Sequence, residues 1–169
     1  MIKDAIIVGS GSYVIGDSFG RGVVLPSLLY LQKTGKIRNI ILAVRSERSP
    51  KFYNELEDFK KLLNTKYTPE IIIYKSIEDL IKLDLKNSLA FIAIPDNVHF
   101  EISSFFIKNY VPIWIVKPLT GNFESSKKLC ELSLINNTKI WVDYHKRFDP
   151  SNLKIKEVRI YTESDPKHL

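Results

Sequence analysis

The chain has 169 residues, 44% of them hydrophobic and 26% charged, with a net charge of +6. That composition suffices for one packed domain with an appendage and excludes wholesale disorder. A single cysteine excludes an intramolecular disulfide framework, and the 25 Lys and Arg residues are scattered rather than gathered into a nucleic-acid-binding arm. No apolar run approaches the ~18 residues that cross a bilayer. The opening MIKDAIIVGSGS has too short an apolar stretch for a signal peptide. The expectation is a cytoplasmic protein that binds neither membrane nor nucleic acid and carries no metal.

In chain order, six short β-branched runs read as strands: Ala5–Val8, Ile40–Val44, Ile71–Tyr74, Leu89–Ile94, Pro112–Val116 and Ile140–Val142. They are nearly continuous in apolar character, as strands covered on both faces are. Helical patterns lie between them, at Val23–Lys33, Pro50–Leu63, Ile77–Lys82, Val98–Asn109 and Phe123–Ile135. In the last, Phe123, Lys127, Cys130 and Leu134 recur at helical spacing, so Cys130 reads as a small core residue. Strict alternation of strand and helix predicts an α/β fold, a Rossmann-type doubly wound parallel sheet over residues 1–150. Residues 151–169 read as a C-terminal tail holding a short stretch, Asn152–Lys156, and an alternating strand-like Glu157–Tyr161. An apolar edge strand is a pairing template, so this tail predicts a homo-oligomer or a contact with a partner subunit.

The first strand runs into Gly9-Ser10-Gly11-Ser12, with a helix some ten residues later. In doubly wound folds this turn binds a dinucleotide. The first glycine permits the turn, the second lets backbone approach a pyrophosphate, and a helix N-terminus supplies amide donors. The strict G-x-G-x-x-G pattern fails because Val14 stands at its third position. At the end of the second strand, Ser46 takes the place where an NAD-preferring domain usually has an acid, and Arg45 and Arg48 flank it. Guanidiniums beside a small hydroxyl suit a 2′-phosphate, so NADP is the expected cofactor. The alternative is NAD, with Glu47 holding the ribose hydroxyls.

Three later segments carry polar residues to strand ends, where open α/β sheets place ligands. In FIAIPDNVHFEIS, Pro95 ends a strand, Asp96-Asn97 can cap the next helix, and His99 falls in its first turn. His99 is there either a cofactor neighbour or a structural residue. In VPIWIVKPLTG, Lys117 follows an apolar strand and Pro118 fixes the backbone beyond it. Burial at a strand end disfavours the charged form of a lysine and fits it to exchange protons; the alternative is a lysine snorkelling out of the sheet edge. In WVDYHKRFDPS, Tyr144, His145 and Arg147 follow the sixth strand, and His145 is either a proton relay or a surface histidine.

In this order behind a glycine loop, these segments resemble the Gfo/Idh/MocA oxidoreductase family, which includes glucose–fructose oxidoreductase and inositol 2-dehydrogenase. The resemblance covers residues 3–151. Pro95, His99, Lys117, Pro118, Arg147, Phe148 and Pro150 match its motifs, while Ile94 replaces a threonine and Val116 a glutamate. It implies an NAD(P)-dependent enzyme moving a hydride to or from a sugar, polyol or related carbohydrate. Lys117 and His145 would be the catalytic groups. Gly9, Gly11, Ser12, Arg45, Ser46 and Arg48 would surround the cofactor, together with Pro95, His99, Lys117, Pro118 and Arg147. Family members are more than twice this length, and their second, substrate-binding domain is expected to be absent or vestigial here. The alternative function is a non-catalytic dinucleotide-binding module or subunit that needs a partner.

Overall fold

The computed structural model describes residues 2–17, 20–47 and 50–155. Its elements are β1 (Ile2–Val8), a minimal hairpin β2 (Gly16–Asp17) and β3 (Gly20–Arg21), α1 (Val24–Lys33), β4 (Ile37–Val44), α2 (Pro50–Leu63), β5 (Glu70–Ile73), α3 (Ile77–Leu80), β6 (Leu89–Ile92), α4 (His99–Lys108), β7 (Ile113–Val116), α5 (Phe123–Ile135) and β8 (Ile140–Asp143). All six strands expected from the sequence form, and they join one parallel sheet in the order β5-β4-β1-β6-β7-β8. The chain builds outward from β1 in one direction and then restarts with β6 on its other side. The direction of winding therefore reverses between β1 and β6, which is where such sheets open a crevice for ligands.

The period-2 alternation of β1 shows how the layers are held. Ala5 and Ile7 enter one core with Leu25, Leu28 and Leu29 of α1 and Phe52, Leu56 and Phe59 of α2. Ile6 and Val8 enter the other with Ile102 and Phe106 of α4, Leu80 of α3 and Leu129 of α5. These four β1 side chains are all 0% exposed. Burying a side chain of this size is worth about 1.5–3 kcal/mol, so a strand buried on both faces can carry only apolar residues for most of its length. Asp4 is a buried charged residue of β1, and it accepts a hydrogen bond from Asn39 Nδ2 at 2.6 Å.

Two expectations change. Cys130 is exposed, and Phe123 and Leu134 are 76% and 81% exposed, because α5 rests on the sheet through Leu129 and Ser133 instead. Asp96-Asn97 do not cap α4. They lie in a 3-10 turn, Asp96–Val98, and α4 then begins without a side-chain cap. Residues 150–155, at the start of the expected C-terminal tail, are helical, while the strand-like Glu157–Tyr161 lies outside the described residues.

Candidate functional site

The glycine loop is shaped by two different steric demands. Gly9 has φ +108°, and a Cβ there would fall 2.1 Å from the carbonyl oxygen of Ala93. Its N–H donates to Ala43 O at 3.0 Å, which ties the loop to the end of β4. No residue but glycine fits without displacing backbone. Gly11 is the opposite case, because a Cβ there meets nothing within 4 Å. The space beside it is open.

After Gly11 the chain makes a single turn, with the Val14 and Ile15 amides donating to Gly11 O at 2.9 and 3.1 Å. Val14 and Ile15 are buried under it. The hairpin β2–β3 then intervenes before α1, so the loop does not run directly into a helix. The expected amide donors at the start of α1 are already engaged. Val23 and Val24 donate to Tyr13 O at 2.8 and 3.3 Å, and Leu25 donates to Val14 O at 3.0 Å. The close approach that a third motif glycine provides is made here by Gly22. A Cβ on it would lie 2.4 Å from the Ile15 backbone.

On the other side of the switch point, the ends of β6 and β7 are locked together by His99. It is 1% exposed. Its Nδ1 lies 2.8 Å from Pro118 O and its Nε2 lies 2.8 Å from Ile94 O. Both ring nitrogens therefore face backbone carbonyls, at least one of them as donor, and the ring sits behind the crevice wall rather than lining it. The Lys117–Pro118 peptide is cis. Lys117 itself is exposed at the crevice, without the burial the sequence led one to expect.

β8 completes the arrangement. Asp143, its last residue, pairs in register with Val116, the residue before Lys117. The hydroxyl of Tyr13, in the glycine loop, donates a hydrogen bond to Asp143 Oδ2. Burial, then this hydrogen bond and the carboxylate charge, push the Tyr13 phenol up to about 12. The His145 ring lies 6.2 Å from the Tyr13 ring, centroid to centroid.

Together these segments enclose a crevice of about 510 Å³. It collects Gly9, Gly11, Ser12, Pro95, Lys117 and His145 from the expected set, with Ser10, Tyr13, Ala93, Ile94, Val116 and Asp143 beside them. A second cleft of about 450 Å³ shares Lys117 and His145 and adds Tyr144, Lys146, Arg147 and Asn152. Arg147 thus belongs to this neighbour, with its guanidinium 4.8 Å from the Tyr144 ring. Pro118 does not line the crevice and contributes its carbonyl to His99. Arg45 and Ser46 are exposed just past β4, on the flank of the glycine loop, and the Arg45 guanidinium lies 5.8 Å from the Tyr74 ring. Arg48 lies outside the described residues. Sequence reasoning passed over Tyr13 and Asp143. The available signal was a carboxylate at the carboxyl end of an apolar strand. Among the described residues no group of three His, Cys, Asp or Glu can hold a metal ion, and no helix is long and apolar enough to cross a membrane.

No protein-family model matches the chain. An uncharacterized oxidoreductase of Schizosaccharomyces pombe is 29% identical over 89 residues, which are 53% of this chain and 24% of that protein. Among solved structures, a Gfo/Idh/MocA family oxidoreductase from Vibrio cholerae is 18% identical with a TM-score of 0.59, over 93% of this chain and 43% of that one. An NAD binding oxidoreductase from Klebsiella pneumoniae is 14% identical with a TM-score of 0.58, over 95% of this chain and 39% of that one. The chain shares the fold of these proteins over nearly its whole described length, and spans about two-fifths of theirs. The family that the sequence motifs resemble is represented among the structural relatives.

Proposed function

We propose that the chain is the dinucleotide-binding part of an oxidoreductase, which holds NADP in the crevice at the switch point and acts on a sugar, polyol or related carbohydrate. The observation that carries this reading is the open space at Gly11, beside a crevice that also presents Lys117. The residues fit the cofactor. Gly9 makes the turn, a Cβ at Gly11 would fill space a pyrophosphate needs, and the crevice volume is that of a small-molecule site. A likeness to a solved NAD binding oxidoreductase supports the cofactor class, and Arg45 just past β4, with Arg48 following it in sequence, favours the 2′-phosphate form over NAD.

When bound, the nicotinamide supplies or accepts a hydride. This chain's residues do the rest. Lys117 Nζ, exposed at the crevice mouth, takes the proton from the substrate hydroxyl in oxidation and returns it in reduction. The second cleft, lined by Lys117 and His145, offers the substrate room, and in this reading His145 passes that proton onward. Calorimetry with NADPH and NADH tests the reading. Saturable binding with NADPH the tighter ligand is expected, and no binding of either at millimolar concentration overturns it. Turnover of a sugar and polyol panel that is lost in Lys117→Met separates an enzyme from a binding module.

A further inference from the structure

We propose that Tyr13 is a positioning residue that straps the glycine loop to the end of β8, holding a bound dinucleotide in the crevice. The inference rests on the cofactor reading above and adds a specific element to it. Tyr13 leaves the loop after β1, and Asp143 ends β8. Between these strands in the sheet lie β6 and β7. At about 4.8 Å per strand, the hydrogen bond joins segments that start roughly 14 Å apart. It therefore crosses the carboxyl ends of β6 and β7, where Ile94, Pro95, Val116 and Lys117 line the crevice.

The bond is a strap and not a plug, because about 510 Å³ stays open with it in place. The loop is then held from two sides. Val14 and Ile15 anchor it inward in the core of α1, and Tyr13 anchors it outward to Asp143. A phenol donating to a carboxylate is a charge-assisted bond, stronger than a neutral one. The Tyr13 phenol, pushed up to about 12, stays a protonated donor well into the alkaline range. Cutting the strap leaves the inner anchors in place, so the fold persists while the loop and whatever it covers are held less firmly.

Stopped-flow measurement of NADPH binding and release by the wild type, Tyr13→Phe, Asp143→Ala and the double variant tests this. Each single variant is expected to release NADPH about tenfold faster with an association rate within twofold of wild type, and the double variant no faster than either single. Asp143→Asn, which keeps an acceptor for the phenol, should restore slow release. Unchanged release rates, additive effects, or faster association with unchanged release would overturn the strap, the last by showing an obstruction. A second measurement needs no ligand. Hydrogen exchange at the Val14 and Ile15 amides, both bonded to Gly11 O, should quicken about tenfold in Tyr13→Phe, and unaltered exchange counts against the strap. A wild type that binds neither NADPH nor NADH overturns the cofactor reading and the role in retention, while the exchange experiment still decides whether the bond restrains the loop.

Discussion

The carboxyl edge of the sheet is built in two ways on the two sides of the switch point. On the β1–β4 side the work is done by backbone: Gly9 is wedged against Ala93, its amide is tied to Ala43, and Gly11 contributes only the room it leaves. On the β6–β8 side it is done by side chains, with His99 buried as a clasp and Lys117, Asp143 and His145 presented to the crevice. A backbone site tolerates no added atom where it is tight and almost any where it is open. The largest contrast should therefore appear within one loop. Gly9→Ala must move Ala93 or abandon its φ, and chemical denaturation should show a loss of about 3 kcal/mol or more. Gly11→Val should leave the denaturation midpoint nearly unchanged and weaken NADPH binding at least tenfold by calorimetry. Equal destabilisation by both would erase the distinction between wedge and cradle.

The side-chain half breaks differently. His99→Ala removes the ring whose two nitrogens face Ile94 O and Pro118 O, in a place water does not readily reach. An unpaired buried acceptor costs about 1–3 kcal/mol, so a loss of about 2–4 kcal/mol in denaturation is expected. The crevice beside it, at Ile94 and Lys117, should show the largest amide shifts by NMR. A variant as stable as the wild type would mean that the clasp is incidental.

These two halves also differ in how far they could be read from the sequence. The six strands of the parallel sheet were visible, because each leaves a short apolar run that stands out between helical patterns. The Gly9 turn was visible for the same reason, since a glycine pair at the end of such a run has few other uses. What the loop does next was not. Val14 broke the expected motif, yet the tight contact it seemed to forfeit is made by Gly22 against Ile15, after a hairpin whose insertion no local pattern announces. The face of α5 was misjudged because Cys130 and Leu134 share its helical spacing with Leu129 and Ser133 one step around, and only the position of the sheet selects between the stripes. Tyr13 and Asp143 are far apart in the chain, and their meeting is a property of strand order alone.

A smaller effect separates the cofactors. Arg45 sits on the flank of the backbone half, beyond β4, and Arg48 follows it in sequence. The double variant Arg45→Ala with Arg48→Ala should weaken NADPH by about 2 kcal/mol, the scale of a charge-assisted contact, and leave NADH nearly unchanged. Calorimetry with both ligands reads this directly. Equal loss for the two would show that the arginines act only through general charge.

The smallest expected effect comes from a third polar cluster, near the end of β5, which makes a useful contrast because its groups satisfy one another. Asp79 accepts from the Lys75 amide at 2.9 Å, the Ser76 amide at 3.3 Å and Lys82 Nζ at 3.0 Å. The Lys75 amide first, then the Lys82 ammonium and the Ser76 amide, lower its carboxyl from 3.8 to about 2. A depressed acid stabilises the folded state only while ionised. Its contribution is therefore complete above the unfolded value of 3.8 and disappears as pH falls towards 2. Because Asp79 lies at the surface, where solvent screens its interactions, the effect on stability should be slight, and the sharper readout is its NMR titration, with a midpoint near 2. Asp79→Asn should be a little less stable than the wild type at pH 5, with the gap closing by pH 2, and neither dinucleotide affinity nor release should change. A midpoint near 3.8 would mean the cluster does not hold its bonds in solution. A change in NADPH release would mean that this outer flank and the crevice are coupled, against the picture of separate polar clusters along one edge.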